Sequence, residues 1–330
     1  MAGRARTSLV VAAMILAAGV TTSRVRAEGA ADRFETIRAH IQAWLSNPGT
    51  DRGHISSSHL KEAILDDWAN QGGRYQILSV RRTEDYNGAG HIPHAINAYW
   101  RDILKEENLA RLDPAKTQII YCYYGHGSMI TYTLLGLLGH KPLNLDFGMM
   151  DWNVDALVKE PWDQKADYEV ETAANKPAAV YPLPVITSQQ QDARGIIKEL
   201  ASKYLAGGSP VIESTEVKAI LDDWDHKKAD YQILSVRSKK DYERGHVPHA
   251  INIPWTRISE IENLKTLDPA RTIIVYSDNG QTGQIATTIL SLLGYKAVNM
   301  MFGMADWNRA SVDKSMLWDG VAAYPVERGR

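Results

Sequence analysis

The 330-residue chain has one cysteine, Cys122. A single thiol excludes an internal disulfide and a zinc site built from cysteines. An excess of charge of either sign is also lacking: Lys+Arg is 37 against 39 for Asp+Glu, a net of −2. Four of those cations, Arg4, Arg6, Arg24 and Arg26, fall in residues 1–27, which hold no acid. The rest of the chain therefore carries 33 basic and 39 acidic side chains. A mildly acidic body has no general attraction for nucleic acid or anionic lipid. Beyond residue 20 no apolar run reaches the roughly 20 residues that a membrane-spanning helix needs. With 44% hydrophobic and 23% charged residues, a disordered or collagen-like chain is excluded. The length suits two domains, each large enough to bury its own core.

The amino terminus reads as an address. Arg4 and Arg6 precede Ser8 to Val20, a run of 13 uncharged residues, and Val25-Arg26-Ala27 places small residues at −3 and −1. This basic, apolar, small-residue order is the secretory pattern, with cleavage expected after Ala27. There is no twin-arginine pair. The expectation is a soluble periplasmic or secreted protein, free of the membrane once residues 1–27 are removed.

The body is written twice. Tyr75-Gln-Ile-Leu-Ser-Val-Arg81 returns letter for letter as Tyr231 to Arg237, an offset of 156. At an offset of 155, Gly90-His-Ile-Pro-His-Ala-Ile-Asn97 matches Gly245 to Asn252 with one Ile-to-Val change. Leu112-Asp-Pro-Ala115 matches Leu267 to Ala270, and Asp151-Trp-Asn153 matches Asp306 to Asn308. Ile64-Leu-Asp-Asp-Trp68 also recurs, as Ile220 to Trp224. Solenoid repeats run at 20–50 residues, so a period this long is a duplicated domain. The expected division is 28–175 for the first domain, 176–184 for a proline-rich linker and 185–330 for the second.

Within each copy short apolar runs alternate with helical spacing. Gln76–Val80, Gln118–Tyr121 and Leu143–Leu145 read as strands, and Ser58–Trp68 and Ser128–Leu138 as helices, the latter closed by Gly139. That alternation predicts an α/β fold, with a mostly parallel sheet covered by helices on both faces. The copies part company after the Ile-Ile-Tyr strand. The first has Cys122-Tyr-Tyr-Gly-His-Gly-Ser128 and the second Ser277-Asp-Asn-Gly-Gln-Thr-Gly283. Cys122 thus ends a central strand and faces a loop that opens into a helix, where ligands bind in open α/β sheets. Unpaired N–H groups and the helix dipole lower a thiol pKa and cradle an anion there. Gly125 and Gly127 give the loop access to positive φ.

Both copies resemble rhodanese domains. Each carries Val-Arg (Val80-Arg81, Val236-Arg237), Asp-Tyr (Asp85-Tyr86, Asp241-Tyr242) and the Gly-His-x-Pro…Ala-x-Asn segment. The first copy's Cys-x-x-Gly-x-x-Ser loop is similar to that of single-domain thiosulfate sulfurtransferases. The resemblance spans about residues 55–163 and 211–320. It implies two tandem rhodanese-like domains and a nucleophilic Cys122 that takes a sulfane sulfur from a small sulfur-anion donor such as thiosulfate. The persulfide so formed would pass that sulfur to a thiol or cyanide acceptor. Tyr123, Tyr124, Gly125, His126, Gly127 and Ser128 would form the substrate-binding loop, with no cofactor. Ser277 makes the second copy its inactive counterpart. Three departures stand out: the cysteine is in the first copy, Ser79 and Ser235 replace the Asp that commonly precedes Val-Arg, and the loop lacks a cation. His126 is the nearest replacement for that charge.

The remaining features have plainer readings. No metal is expected at His91/His94 or His246/His249, since no acid or cysteine stands at ligand spacing. Arg81 reads as structural, in an ion pair with an acid of the following helix, or as support for an anion. The pairs Met149-Met150 and Met300-Met301, with Trp68 and Trp224, read as core. A phosphatase loop would be one residue longer and end in arginine. The competing function is a non-catalytic binding or scaffold module in which Cys122 is incidental.

Overall fold

The computed structural model describes residues 33–47, 53–163, 166–208, 210–320 and 322–329, so the expected signal segment, 1–27, lies outside the described residues. Each half builds one five-stranded parallel sheet. In the first half the strands are β1 (His54–Ile55), β2 (Tyr75–Ser79), β3 (Ile96–Asn97), β4 (Thr117–Tyr121) and β5 (Lys141–Leu145), in the order β1-β5-β4-β2-β3. In the second they are β6 (Val211–Ile212), β7 (Tyr231–Ser235), β8 (Ile251–Asn252), β9 (Thr272–Tyr276) and β10 (Lys296–Met300), in the equivalent order β6-β10-β9-β7-β8. The fold class is therefore α/β, as expected from the repeat.

Side-chain alternation sends one set of residues to each face of a strand. On β2 and β4, Leu78, Ile120 and Cys122 join one apolar cluster, while Ile77, Ile119 and Tyr121 join the other. The helices His126–Leu137 and Gln281–Leu292 lie against each other between the two sheets and are buried over almost all their residues. Burial all round explains why neither has a polar face.

Helix 33–45 precedes the repeat and belongs to the same core. Phe34, Ile37, Ile41 and Leu45 recur at helical spacing and are buried, each contributing about 1.5–3 kcal/mol. Its polar side chains reach both halves: His40 Nε2 meets the Leu137 carbonyl at 2.8 Å, and Gln42 accepts from Ser259 Oγ at 2.7 Å.

The two halves also exchange their trailing segments. Residues 166–175 leave the first half and pair with the second, where Tyr168 N–H donates to Trp307 O (2.9 Å) and Glu171 and His246 exchange backbone hydrogen bonds (2.9 Å each). Residues 322–327 do the converse: Tyr324 N–H donates to Trp152 O (3.1 Å), and His91 and Glu327 exchange backbone bonds (2.8 Å each). The buried indoles follow suit, Trp152 Nε1 donating to Pro325 O and Trp307 Nε1 to Glu169 O. Residues 166–175 thus sit spatially with the second sheet although they precede the proline-rich stretch.

Three local expectations are corrected. The segment expected as one helix from Ser58 is broken, as Ser57–His59, a wide π turn over Leu60–Leu65, and Trp68–Gln71. Trp68 and Trp224 are half-buried rather than core, stacked on His94 and His249 at 4.6 and 4.9 Å. Those histidines, and His91 and His246 on Tyr86 and Tyr242, are engaged through their ring faces. Met301, unlike the fully buried Met149, Met150 and Met300, reaches the cavity described next.

Candidate active site

Cys122 follows β4 directly and keeps the alternation of that strand, so its side chain points to the face covered by helix His126–Leu137. Gly125 caps the helix at φ 97, a left-handed conformation in which glycine carries no steric cost. That turn brings Gly125 N–H to 3.1 Å from Cys122 Sγ. Ser128 Oγ stands 3.6 Å from the same sulfur and 2.9 Å from Gly125 O. A hydroxyl has one hydrogen, so the shorter contact takes it until the sulfur bears charge. Sγ therefore sits at the positive end of a 12-residue helix with a backbone donor aimed at it.

Gly127 has an ordinary helical backbone, not the positive φ expected of it. Its smallness serves the sulfur instead. An added β-carbon would lie 3.7 Å from Sγ and 3.5 Å from the Trp100 ring, in ordinary contact. Gly127→Ala should fold normally yet slow reaction at Cys122 about tenfold, because a methyl occupies the space beside the sulfur. Alkylation kinetics of Cys122 in the two proteins check this.

His126 does not supply the missing cation. It is buried, and burial pushes its pKa down to about 4, so the ring is neutral. Nε2 accepts from Phe302 N–H at 3.3 Å, across to the second half, and Nδ1 has no partner. Gln281 holds the same place in the second loop and accepts from Asn144 Nδ2 at 2.8 Å. The two loops thus brace each other, with Phe302 edge-on to both His126 and Tyr124 and stacked on Trp162.

A pH dependence follows. The unfolded chain protonates His126 near pH 6.5, the folded one only near pH 4. Stability is therefore complete above about pH 6.5 and falls as pH drops toward 4. His126→Gln, the residue of the second loop, should flatten that fall in a series of melting temperatures. The slope that remains belongs to His140 and His246, which burial also holds down.

Arg81 is fully buried, and its partners are carbonyls rather than a carboxylate of the following helix. Nη1 donates to Ala156 O at 2.7 Å and Nη2 to Gly90 O, while Nε has no partner. The carboxylate of Asp85 is taken by the Tyr123 hydroxyl instead. In the second half Arg237 does make an ion pair, but with the loop residue Asp278 at 2.7 Å. Tyr123 occupies that position in the first half, which is why Arg81 Nε is left over.

Cys122 opens into a cavity of about 200 Å³ that both halves wall. Of the loop residues, Tyr123, Tyr124, His126 and Gly127 line it and Gly125 and Ser128 do not. Trp100, Arg101, Ile130 and Lys159 join from the first half, and Pro210, Val211, Gln284 and Met301 from the second. Sequence reasoning missed all eight. One had a signal: Arg101 is Thr256 in the second copy, a difference of the same kind as Cys122 against Ser277. Ser277, by contrast, is fully buried with its hydroxyl unpartnered. Burial and the carboxylates of Glu213 and Glu160, with the cysteine itself, push the Tyr124 hydroxyl up to about 12, so it stays protonated.

Comparison with known proteins finds the same family in both halves. A family model described as Rhodanese-like domain matches residues 61–155 and again 213–310. YtwF of Bacillus subtilis, whose name assigns it provisionally to the sulfurtransferases, is 33% identical over 98 residues, which are 30% of this chain and 87% of that protein. The adenylyltransferase and sulfurtransferase uba4 of Ogataea parapolymorpha is 28% identical over 102 residues, 30% of this chain. This chain spans only 25% of that protein's length. Among solved structures, a thiosulfate sulfurtransferase from Pseudomonas aeruginosa is similar at 16% identity and a TM-score of 0.30 over 89% of this chain and 50% of its own.

Proposed function

Because the chain belongs to the rhodanese family and carries the family's domain twice, we propose that it is a sulfurtransferase that moves a sulfane sulfur through a persulfide on Cys122. The observation that supports this most is the aim of Gly125 N–H at Sγ, 3.1 Å away, in the one loop of the two that has a thiol. The thiolate attacks the outer sulfur of the donor, the donor's S–S bond breaks, and its remainder leaves with the bonding electron pair. For thiosulfate the leaving group is sulfite, so charge and electrons balance without an external oxidant. The loop donors then hold the new terminal sulfur until a thiol or cyanide removes it. Tyr123 and Tyr124 flank the sulfur, and Arg81 keeps the strand end and the Gly90 turn in place through its carbonyl contacts.

Mass spectrometry of the intact protein after incubation with thiosulfate, polysulfide or an organic donor tests the reading. One added sulfur on Cys122, removed by cyanide, supports it. Failure with every donor leaves a rhodanese-fold binding module in its place.

The reading includes export. The basic, apolar, small-residue order of residues 1–27 supports a mature protein in the periplasm or outside the cell, beginning near Glu28. Among the described residues no helix is long and apolar enough to cross a membrane. Amino-terminal sequencing of the native protein decides this; an intact Met1 in a cytoplasmic fraction overturns it.

A further inference from the structure

Among the described residues, two buried polar atoms without a partner belong to side chains that line the cavity over Cys122. One is Oε1 of Gln284, a residue of the second half that is 0% exposed. Its neighbours orient the amide. Thr288 Oγ1 donates to Gln284 O at 2.8 Å, so the Tyr204 hydroxyl, which also meets Thr288, must be the donor between those two. The Tyr204 oxygen is then the acceptor for Gln284 Nε2 at 3.3 Å, and Oε1 is the end left over. The second atom is His126 Nδ1. Because Nε2 accepts from Phe302 N–H, the neutral ring carries its hydrogen on Nδ1, as a donor. A buried polar atom left unpaired is costly, so each of these is a point where a ligand gains by pairing with it. Comparison of the copies singles out Gln284. Its counterpart in the first half is Met129, as Ser277 is the counterpart of Cys122. The second half thus brings an amide to the cavity of the one thiol, where the matching helix position has an apolar thioether.

We infer that Gln284 selects the sulfur acceptor, its Oε1 receiving the N–H of a small thiol that carries a secondary amide. The cations of the cavity, Arg101 and Lys159, disfavour an ammonium as the source of that N–H, whereas a neutral amide meets no repulsion. An amide also offers a carbonyl, the complement of His126 Nδ1–H. A cavity of about 200 Å³ is smaller than those that hold drug-sized ligands, so the chain between thiol and amide is short. In the transfer the acceptor's thiolate attacks the outer sulfur of the protonated Cys122 persulfide. A new S–S bond forms, the bond to Cys122 Sγ breaks, and Cys122 leaves as thiolate with the electron pair. The proton stays on the transferred sulfur, and each side carries one negative charge. Gln284 holds the acceptor while these bonds change and takes no part in them.

The inference rests on the sulfurtransferase reading, and one experiment separates the two. Cys122 is first loaded with sulfur from thiosulfate or polysulfide. Removal of that sulfur is then timed by intact-mass spectrometry with N-acetylcysteamine and with 2-mercaptoethyl acetate, its ester counterpart, which lacks only the N–H. Each rate is divided by the rate of the same thiol with a small-molecule disulfide, which removes intrinsic reactivity. The expected outcome is a corrected preference for the amide of about fivefold to tenfold, as for one neutral hydrogen bond. Gln284→Met, which copies Met129, should bring that ratio to within about twofold of one, chiefly by raising the KM of the amide thiol. A ratio near one in the unaltered protein overturns the inference, whether or not the variant folds, while the sulfurtransferase reading stands. A ratio unmoved by Gln284→Met overturns the role of the glutamine. No sulfur uptake on Cys122 from any donor overturns both readings.

Discussion

A Cys122→Ser protein incubated with any sulfane-sulfur donor takes up no sulfur, and turnover falls on the order of 10³-fold or more. The fold survives, because the serine oxygen accepts the same Gly125 N–H and leaves the neighbouring apolar walls in place. Its melting temperature should stay close to that of the unaltered protein. Ser277→Ala is the matched control. That hydroxyl is buried without a partner, and removing an unsatisfied polar group is neutral or slightly stabilising. Turnover should be unchanged within about twofold, since a hydroxyl without a base is a poor nucleophile. Steady-state rates of the two variants side by side decide whether the work is divided this way. An equal loss in both would end the assignment of chemistry to the first half.

The second large effect is expected at a residue that does not itself touch the reacting sulfur. Gly148 sits behind the loop at φ 57 and ψ −131, a region open essentially to glycine alone. A β-carbon there would stand 2.6 Å from the Cys122 carbonyl oxygen, which accepts Met149 N–H at 3.0 Å. Gly148→Ala must therefore strain its own backbone or push the Cys122 carbonyl aside. The cost should be about 2–3 kcal/mol of stability. Displacement of the sulfur from Gly125 N–H should lower activity on the order of 10²-fold, as misplacement by about 1 Å does. Gly303→Ala meets the same collision with the Ser277 carbonyl. Denaturant unfolding should show a similar stability loss for both, and the rate assay a much larger activity loss for Gly148→Ala. Equal activity losses would mean that the carbonyl position is not what the glycine protects.

The sequence by itself determined the doubling, the α/β class, the central strands within a residue or two, and the loop that holds the one thiol. These are local properties. Continuous apolar runs within Tyr75–Ser79 and Thr117–Tyr121 report burial on both faces, and a glycine after a strand and before a buried helix reports a turn wherever the chain goes next. The broken helix at Leu60–Leu65 escaped because a π turn keeps the same apolar spacing over so short a stretch.

Only the tertiary structure decided which groups carry charge near the sulfur. The imidazole of His126 is the nearest ionisable nitrogen along the chain, yet Phe302, 176 residues away, donates to it and helps bury it as a neutral ring. Lys159 is 37 positions from Cys122 and repeats as Lys314 in the second copy, so comparing the copies hides it. Arg81 and Arg237 share a sequence context but differ in partner, because Tyr123 and Asp278 differ across a loop 41 or 42 residues away. The crossing of residues 166–175 and 322–327 is likewise invisible in either copy alone. A protonation state or an ion pair depends on what is packed around the group, and that is set by contacts between segments far apart in the chain.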